Sequence, residues 1–199
     1  GGRIEHLDTR HGFPHALIRC MFEDPAGALW VGTDGGGLVR LQGGRLTRYT
    51  TREGLSGDRV ISVCVDRRGV VWAGTNGAGL NRLEGGRITS YSRRAGRLAD
   101  LVNVVHEDRA GTLWVGTYGG LWQFRDGRFV TFPGQDQVGD AIVTHVYEDD
   151  RGVIWLGTIG FGLFRLEGGR VSRITRKDGL FDDIAYEILE DGLGNMWMS

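Results

Sequence analysis

A short motif recurs five times along this chain at nearly constant spacing, and that spacing constrains the fold more than any other property. It reads DPAGALWVGT from Asp24, DRRGVVWAGT from Asp66, DRAGTLWVGT from Asp108, DDRGVIWLGT from Asp149 and DGLGNMWMS from Asp191 to Ser199. Its tryptophans stand at 30, 72, 114, 155 and 197, so the steps are 42, 42, 41 and 42 residues, and each follows an aspartate by six. The chain is therefore an internal repeat, and single motifs have to be read within that period.

Each repeat divides into four short strands. The first is almost continuously apolar, as in Val60 to Val65, and recurs at Leu17 to Phe22, Leu101 to Val105, Ile142 to Tyr147 and Ile184 to Leu189. Such runs suit strands covered on both faces. An Asp-x-x-Gly turn reverses the chain: Asp can accept from its own downstream backbone, and Gly can take positive φ. The second strand carries the Trp and ends in Gly-Thr. A glycine-rich link, such as Asp34-Gly35-Gly36-Gly37, leads to an alternating third strand, Leu38 to Leu41. A turn ending in Gly-Arg opens the fourth. There Leu46 and Tyr49 are three residues apart rather than two, which leaves open a bulge or a strand that ends before Tyr49.

No stretch of helical periodicity is long enough for a βαβ crossover, so the strands must meander antiparallel. A four-stranded meander of about 42 residues that stacks on its neighbours is a propeller blade. The expected class is all-β: a β-propeller of four-stranded antiparallel blades, with the tryptophans packed between blades. The whole of residues 1–199 reads as one propeller segment. Its repeats span approximately 16–57, 58–99, 100–140 and 141–182, with partial blades at 183–199 and 1–15.

Composition narrows the function. A formal net charge of −1 gives no electrostatic case for a nucleic-acid or membrane surface. No apolar run is long enough to span a bilayer, so no direct membrane contact is expected of this segment. The 35 glycines recur at fixed places in each repeat, as turns do. Lys177 is the single lysine against many arginines, a habit of composition more than of recognition. Cys20 and Cys64 occupy neighbouring inner strands with the same side-chain parity, which directs them the same way round and argues against a disulfide.

The residues also resemble the two-component regulator propeller repeat. The match is carried by Asp108, Gly111, Leu113, Trp114, Val115, Gly116 and Thr117, by Gly79-Leu80 with Arg82-Leu83, by Gly86-Arg87 with Tyr91, and by Gly54-Leu55. The resemblance covers essentially the whole chain. It implies the extracytoplasmic or periplasmic input domain of a bacterial membrane-bound sensor, such as a hybrid histidine kinase or a receptor with a cyclase or DNA-binding output. A membrane helix and an output module, which such receptors carry, are not found in these residues. The third copy departs by one residue at Tyr118-Gly119-Gly120-Leu121, and Trp122 takes a variable position.

The inventory of strands is uneven, because a last blade closed by residues 3–8 would lack its third strand and leave sheet edges open. A segment of a larger propeller is expected, with self-association through the open edges, including a homodimer, as the alternative.

Function in a propeller sits on the loops at one end. Two loop classes should share that end: those joining second to third strands, and those joining blade to blade. In the first class the residue after Gly-Thr varies while its surroundings repeat, as Asp34, Asn76, Tyr118 and Ile159. In the second, Asp58, Arg59, Asp100, Asp140 and Asp183 stand out among further polar and aromatic residues that include His11, His15, Glu53, Arg97 and Phe181. These positions are the expected ligand-binding set, weighed against plain solvated loops.

No catalytic residue, metal site or cofactor is expected. The five repeated aspartates are explained by turn chemistry, and Asp182-Asp183 is an adjacent pair in an exposed loop. His106 and His145 belong to inner strands, as core or channel lining. Nucleophile-elbow, Cys-x-x-Cys, zinc-protease and phosphate-loop patterns are absent from the sequence. The expected function is non-catalytic ligand sensing for a signalling receptor, with an oligosaccharide or other small molecule implied by the resemblance. A protein–protein scaffold, and less so a propeller lyase or glycoside-active enzyme, are the alternatives.

Overall fold

A computed structural model describes residues 8–14, 17–92, 101–126 and 128–199. Four sheets follow one another, each a four-stranded antiparallel meander in chain order. The first holds β1 (Ile18–Glu23), β2 (Leu29–Thr33), β3 (Leu38–Gln42) and β4 (Arg45–Tyr49). The second holds β5 (Val60–Val65), β6 (Val71–Thr75), β7 (Gly79–Glu84) and β8 (Arg87–Tyr91). The third holds β9 (Val102–Glu107), β10 (Leu113–Thr117), β11 (Gly120–Arg125) and β12 (Arg128–Val130). The fourth holds β13 (Ile142–Glu148), β14 (Ile154–Ile159), β15 (Leu163–Glu167) and β16 (Arg170–Ile174), and β17 (Ile188–Glu190) pairs with β18 (Met196–Met198) in a fifth, smaller sheet. The single α-helix among the described residues, α1 (Gln135–Val138), is one turn long and lies between the third and fourth sheets. The all-β propeller architecture holds. The fourth strand proposed for residues 3–8 lies largely outside the described residues.

The core is serial. One apolar cluster joins Trp30 and Leu38 of the first sheet to Val60 and Val63 of the second. The next joins Trp72 to Val102 and Val105, and a third joins Trp114 to Val143 and Val146. A fourth joins Trp155 to Ile188. First strands of consecutive sheets touch along the series, β1 on β5, β5 on β9 and β9 on β13, so they form the inner edge. Four indoles are buried as expected, but Trp197 is 60% exposed, because no described sheet lies on its far side.

Three devices recur. The first is the turn. In the second sheet Asp66 Oδ1 accepts from the amides of Arg68 at 3.0 Å and Val70 at 2.9 Å. Its Oδ2 accepts from Trp72 Nε1 at 3.1 Å. The same indole-to-carboxylate bond appears as Trp30–Asp24, Trp114–Asp108, Trp155–Asp149 and Trp197–Asp191, at 2.8 to 3.0 Å. This is the physical meaning of the six-residue interval: the aspartate closes the turn and satisfies a buried indole at once.

The second device is close approach. A Cβ built on Gly74 would lie 2.7 Å from Val102 Cγ1 and 2.9 Å from the Val102 carbonyl oxygen. Only glycine at this place in the Gly-Thr pair lets the next inner strand come so near.

The third is a β-bulge, and it lies in the first strand rather than the fourth. The pairing of β4 on β3 runs without interruption from Gln42–Arg45 to Leu38–Tyr49, so Tyr49 is inside its strand and on the side of the sheet where it stacks on Trp30, 5.9 Å between ring centroids. By contrast, the register of β1, β5, β9 and β13 each skips one residue opposite the Gly-Thr of the second strand. The extra residues are Arg19, Ile61, Asn103 and Thr144. Two of the bulged side chains reach the neighbouring sheet: Asn103 Nδ2 donates to the Val143 carbonyl at 3.0 Å, and Thr144 Oγ1 to that of Ala185 at 2.5 Å. The next residue along accepts in return, Ser62 Oγ from the Val105 amide and His145 Nδ1 from the Ile188 amide, both at 2.8 Å.

Candidate ligand-binding face

A meander puts the first–second and third–fourth turns at one end of each sheet, and the second–third loops and sheet-to-sheet connections at the other. Backbone bonds knit the latter two classes together. The Asp34 amide donates to the Leu17 carbonyl at 2.8 Å, and the amides of Gly35 and Gly37 donate to the Asp58 carbonyl at 3.0 and 2.9 Å. The Asn76 amide donates to the Arg59 carbonyl, Tyr118 to Leu101, and Gly162 to Asp183. The variable residue therefore bonds to the entry of its own sheet, and bridges from Asp34 to Arg59 and from Asn76 to Leu101 set it beside the connection that enters the next.

The nominated side chains fall into three groups. Asp34 holds two guanidiniums, accepting from Arg59 Nε at 2.7 Å and from Arg19 in a close ion pair. Hydrogen bonds first from Arg19 and then from Arg59 hold its carboxyl below the usual carboxylate range. Both arginines remain about half exposed, at 45% and 54% of their side chains.

Asp58 and Asp183 are engaged inside their own connections. Asp58 Oδ1 accepts from the Thr51 amide at 2.7 Å, and Asp183 Oδ1 from the Arg176 amide at 2.8 Å. The same two connections carry a second matching pair, because Glu53 accepts from the Thr50 amide and hydroxyl and Asp178 from those of Thr175. The third group is open. Tyr118 is 48% exposed, and Asp140 is exposed with no hydrogen bond to any described residue. Asn76 is half-buried at the bridge to Leu101. Ile159 is half-buried within β14, paired with Ile142. Asp100, His15 and Arg97 lie outside the described residues.

His106, His145 and the two cysteines belong to inner strands, apart from the loops of this face. Burial holds His106 and His145 below the ordinary imidazole value, against the opposing pull of nearby Glu148 on the first and Glu187 on the second. Burial pushes the free thiols of Cys20 and Cys64 up to about 12 and about 11, so neither is a ready nucleophile. No group of three metal-ligating side chains converges among the described residues.

A second concavity was not nominated from the sequence. At the opposite end, a cleft of about 700 Å³ opens between the second and third sheets, with Arg67, Arg68, Arg82 and Arg125 around Trp72 and Phe124. Arg67 pairs with Glu107 at 3.1 Å and Arg82 with Glu84 at 2.6 Å, and the Arg82 guanidinium lies 5.8 Å from the centre of the Trp72 ring. A smaller cleft between the first and second sheets repeats the arrangement with Trp30, Arg40 and Tyr49. Arg40, Arg82 and Arg165 each stack on their sheet's tryptophan, so the signal was the third-strand arginine, which Gln123 replaces in the third sheet.

The family model described as two component regulator propeller matches residues 12–35, 54–77, 96–119 and 137–160. The chain carries four two-component regulator propeller repeats. Each match runs from a connection through the first two strands and the variable residue after Gly-Thr to the glycine that follows it. No curated protein matches the sequence. Among solved structures, the chain is similar to the extracellular domain assigned to the hybrid two component system BT3049 from B. thetaiotaomicron. The TM-score is 0.84 at 19% identity, over 98% of this chain and 28% of that one. It is also similar to the virginiamycin B lyase from Staphylococcus aureus, with a TM-score of 0.72 at 14% identity over 91% of this chain and 62% of that one. A corresponding extracellular domain, BT4673 from B. thetaiotaomicron, gives 0.57 at 18% identity over 91% and 34%. At these identities the likeness establishes the propeller fold, and the chain spans between about a quarter and two thirds of these relatives. None of its described helices is long and apolar enough to cross a membrane.

Proposed function

We propose that this chain is part of the extracytoplasmic input domain of a bacterial two-component or related receptor, and that it senses a ligand without transforming it. One observation carries the reading: residues that vary inside a fixed repeat, Asp34, Asn76 and Tyr118, are seated by backbone bonds against the sheet-to-sheet connections. Arg59, Asn76, Tyr118 and Asp140 are the ligand contacts. Asp34 orients Arg19 and Arg59, while Asp58 and Asp183 hold the loops in shape. A guanidinium edge, an amide, a carboxylate and one exposed aromatic plate suit a polar ligand with a flat face, such as an oligosaccharide. The family of the repeat and the likeness to sensor extracellular domains support this reading.

A thermal-shift screen of the purified chain against oligosaccharides and small metabolites tests it. A compound that raises Tm, and does so no longer in Arg59→Ala or Tyr118→Ala while still acting on Arg125→Ala, is the expected result. Loss of the effect only in Arg125→Ala would move the site to the opposite cleft. Conversion of a binding compound to product would replace sensing by catalysis.

A further inference from the structure

The third sheet departs from the repeat at four consecutive residues, and three of them line the cleft between the second and third sheets. Where the other sheets read Arg40-Leu41-Gln42-Gly43, Arg82-Leu83-Glu84-Gly85 and Arg165-Leu166-Glu167-Gly168, this one reads Gln123-Phe124-Arg125-Asp126. The common pattern is closed on itself. Each arginine pairs with the residue two places on, Arg40 with Gln42, Arg82 with Glu84 at 2.6 Å and Arg165 with Glu167 at 2.7 Å. That residue also stands opposite an arginine of the fourth strand, as Gln42–Arg45, Glu84–Arg87 and Glu167–Arg170. In the third sheet Arg125 stands opposite Arg128, a like charge, which destabilises a ladder. Arg125 is exposed, and its side chain has no hydrogen bond or ion pair among the described residues. Asp126 likewise takes a glycine's place. At φ 50° it is the one described non-glycine residue in the left-handed region, where Gly43, Gly85 and Gly168 stand at 56°, 56° and 55°. That backbone is unfavourable for a residue with a side chain. Neither residue serves its own sheet, and both place a charge on the rim of the cleft.

We infer that this cleft is a binding site for a small aromatic carboxylate, its carboxylate held by Arg125 and Arg68 and its ring by Phe124. The other two arginines are engaged already, Arg67 by Glu107 and the Asp108 carbonyl, and Arg82 by Glu84. Arg68 is available: it touches Asp66 at 3.4 Å and keeps 66% of its side chain exposed. A guanidinium offers paired N–H groups that match the two oxygens of a carboxylate. Phe124 meets Trp72 edge to face, 4.8 Å between centroids, and Tyr91 at 5.7 Å. It stays half-buried, so part of its ring lines the cleft. Asp126, which has no hydrogen bond among the described residues, accepts from a hydroxyl on the ligand. The volume of about 700 Å³ falls in the usual range for small-molecule sites, about 300–1,000 Å³. The cleft between the first and second sheets has Leu83, Glu84 and Gly85 at the corresponding places and measures about 170 Å³. The site lies at the other end of the sheets from the loop face and does not depend on it.

The test titrates the isotope-labelled 199-residue chain with para-hydroxybenzoate and follows the arginine Nε–H signals by NMR. Saturable shifts at Arg125 and Arg68 are expected. Para-hydroxybenzamide, which lacks the charge, and acetate, which lacks the ring, should each bind more weakly. Arg125→Glu restores the residue of the second and fourth sheets and gives Arg128 an opposite charge. It should therefore melt no lower than the wild type while losing about tenfold or more in affinity. Phe124→Leu, again the residue of the other sheets, should weaken binding several-fold. Arg170→Ala, which removes an exposed arginine from the fourth sheet, should change nothing. No saturable binding to the wild type, equal binding of the benzamide or of acetate, or full affinity in Arg125→Glu would each overturn the proposal.

Discussion

Replacing Asp66 by alanine isolates what the recurring Asp–Trp bond contributes. The substitution removes the acceptor of four N–H groups, one of them on the exposed Arg68 guanidinium, and two of the donors cannot reach water: Val70 is 1% exposed and Trp72 is 0% exposed. Leaving a buried donor unsatisfied costs about 1–3 kcal/mol, so the two together should cost about 2–6 kcal/mol. That is a large fraction of the roughly 5–15 kcal/mol that holds a domain folded. The control lies in the same chain. Asp191 makes the two turn-amide bonds, to Leu193 and Asn195, and the bond to Trp197 Nε1, with the Asn195 side-chain amide in place of the arginine, but Leu193 is 88% and Trp197 60% exposed, so water replaces the lost acceptor. Urea unfolding followed by tryptophan fluorescence should show a large drop in midpoint for Asp66→Ala and a much smaller one for Asp191→Ala. A cycle with Trp72→Phe should give a coupling of about 0.5–3 kcal/mol. If the two alanine variants lose the same stability, or the cycle shows no coupling, the claim that the bond works by satisfying a buried indole is wrong.

Gly74→Ala should destabilise by about 1–3 kcal/mol, because its Cβ meets the backbone oxygen of Val102, whereas Gly192→Ala, with nothing within 4 Å, should leave the urea midpoint unchanged. Stability should fall below about pH 6.5, where an unfolded histidine takes up a proton that buried His145 and His106 resist; it is fully present above that value. Thermal melts across pH should find this step reduced in His145→Gln. A second loss should follow below the ordinary carboxylate value of 3.8, since Asp24 and Asp149 are held low: burial raises each, but the indole and amide donors outweigh it. Asp34→Ala should barely move Tm, its partners being half-exposed arginines, while changing ligand response on the proposed face.

The period, the strands and the serial placement of Trp30, Trp72, Trp114 and Trp155 were legible in the sequence because they rest on local chemistry repeated in register. The aspartate's second task was half legible: the six-residue interval was visible, but that it spans a carboxylate and an indole needs the paired strands. The offset of Leu46 from Tyr49 leaves both a bulge and an early strand end open in β4, whereas Arg19, Ile61, Asn103 and Thr144 share no residue type that marks the bulges they form. At the candidate face, variation located the loops. It could not separate Asp58 and Asp183, which bind amides seven residues earlier in the chain, from Asp140, which binds none among the described residues, because the difference lies in how each connection folds back.

The side-chain stitches at the inner bulges reach only one sheet onward: Ser62 to Val105, Asn103 to Val143, Thr144 to Ala185 and His145 to Ile188. Cohesion in such a molecule travels like tension along a row of linked hands. Loosening at either extremity is felt by the adjoining member first and fades toward the middle, so amide protons of β5 and β9 should be the last to exchange and those of β17 among the earliest.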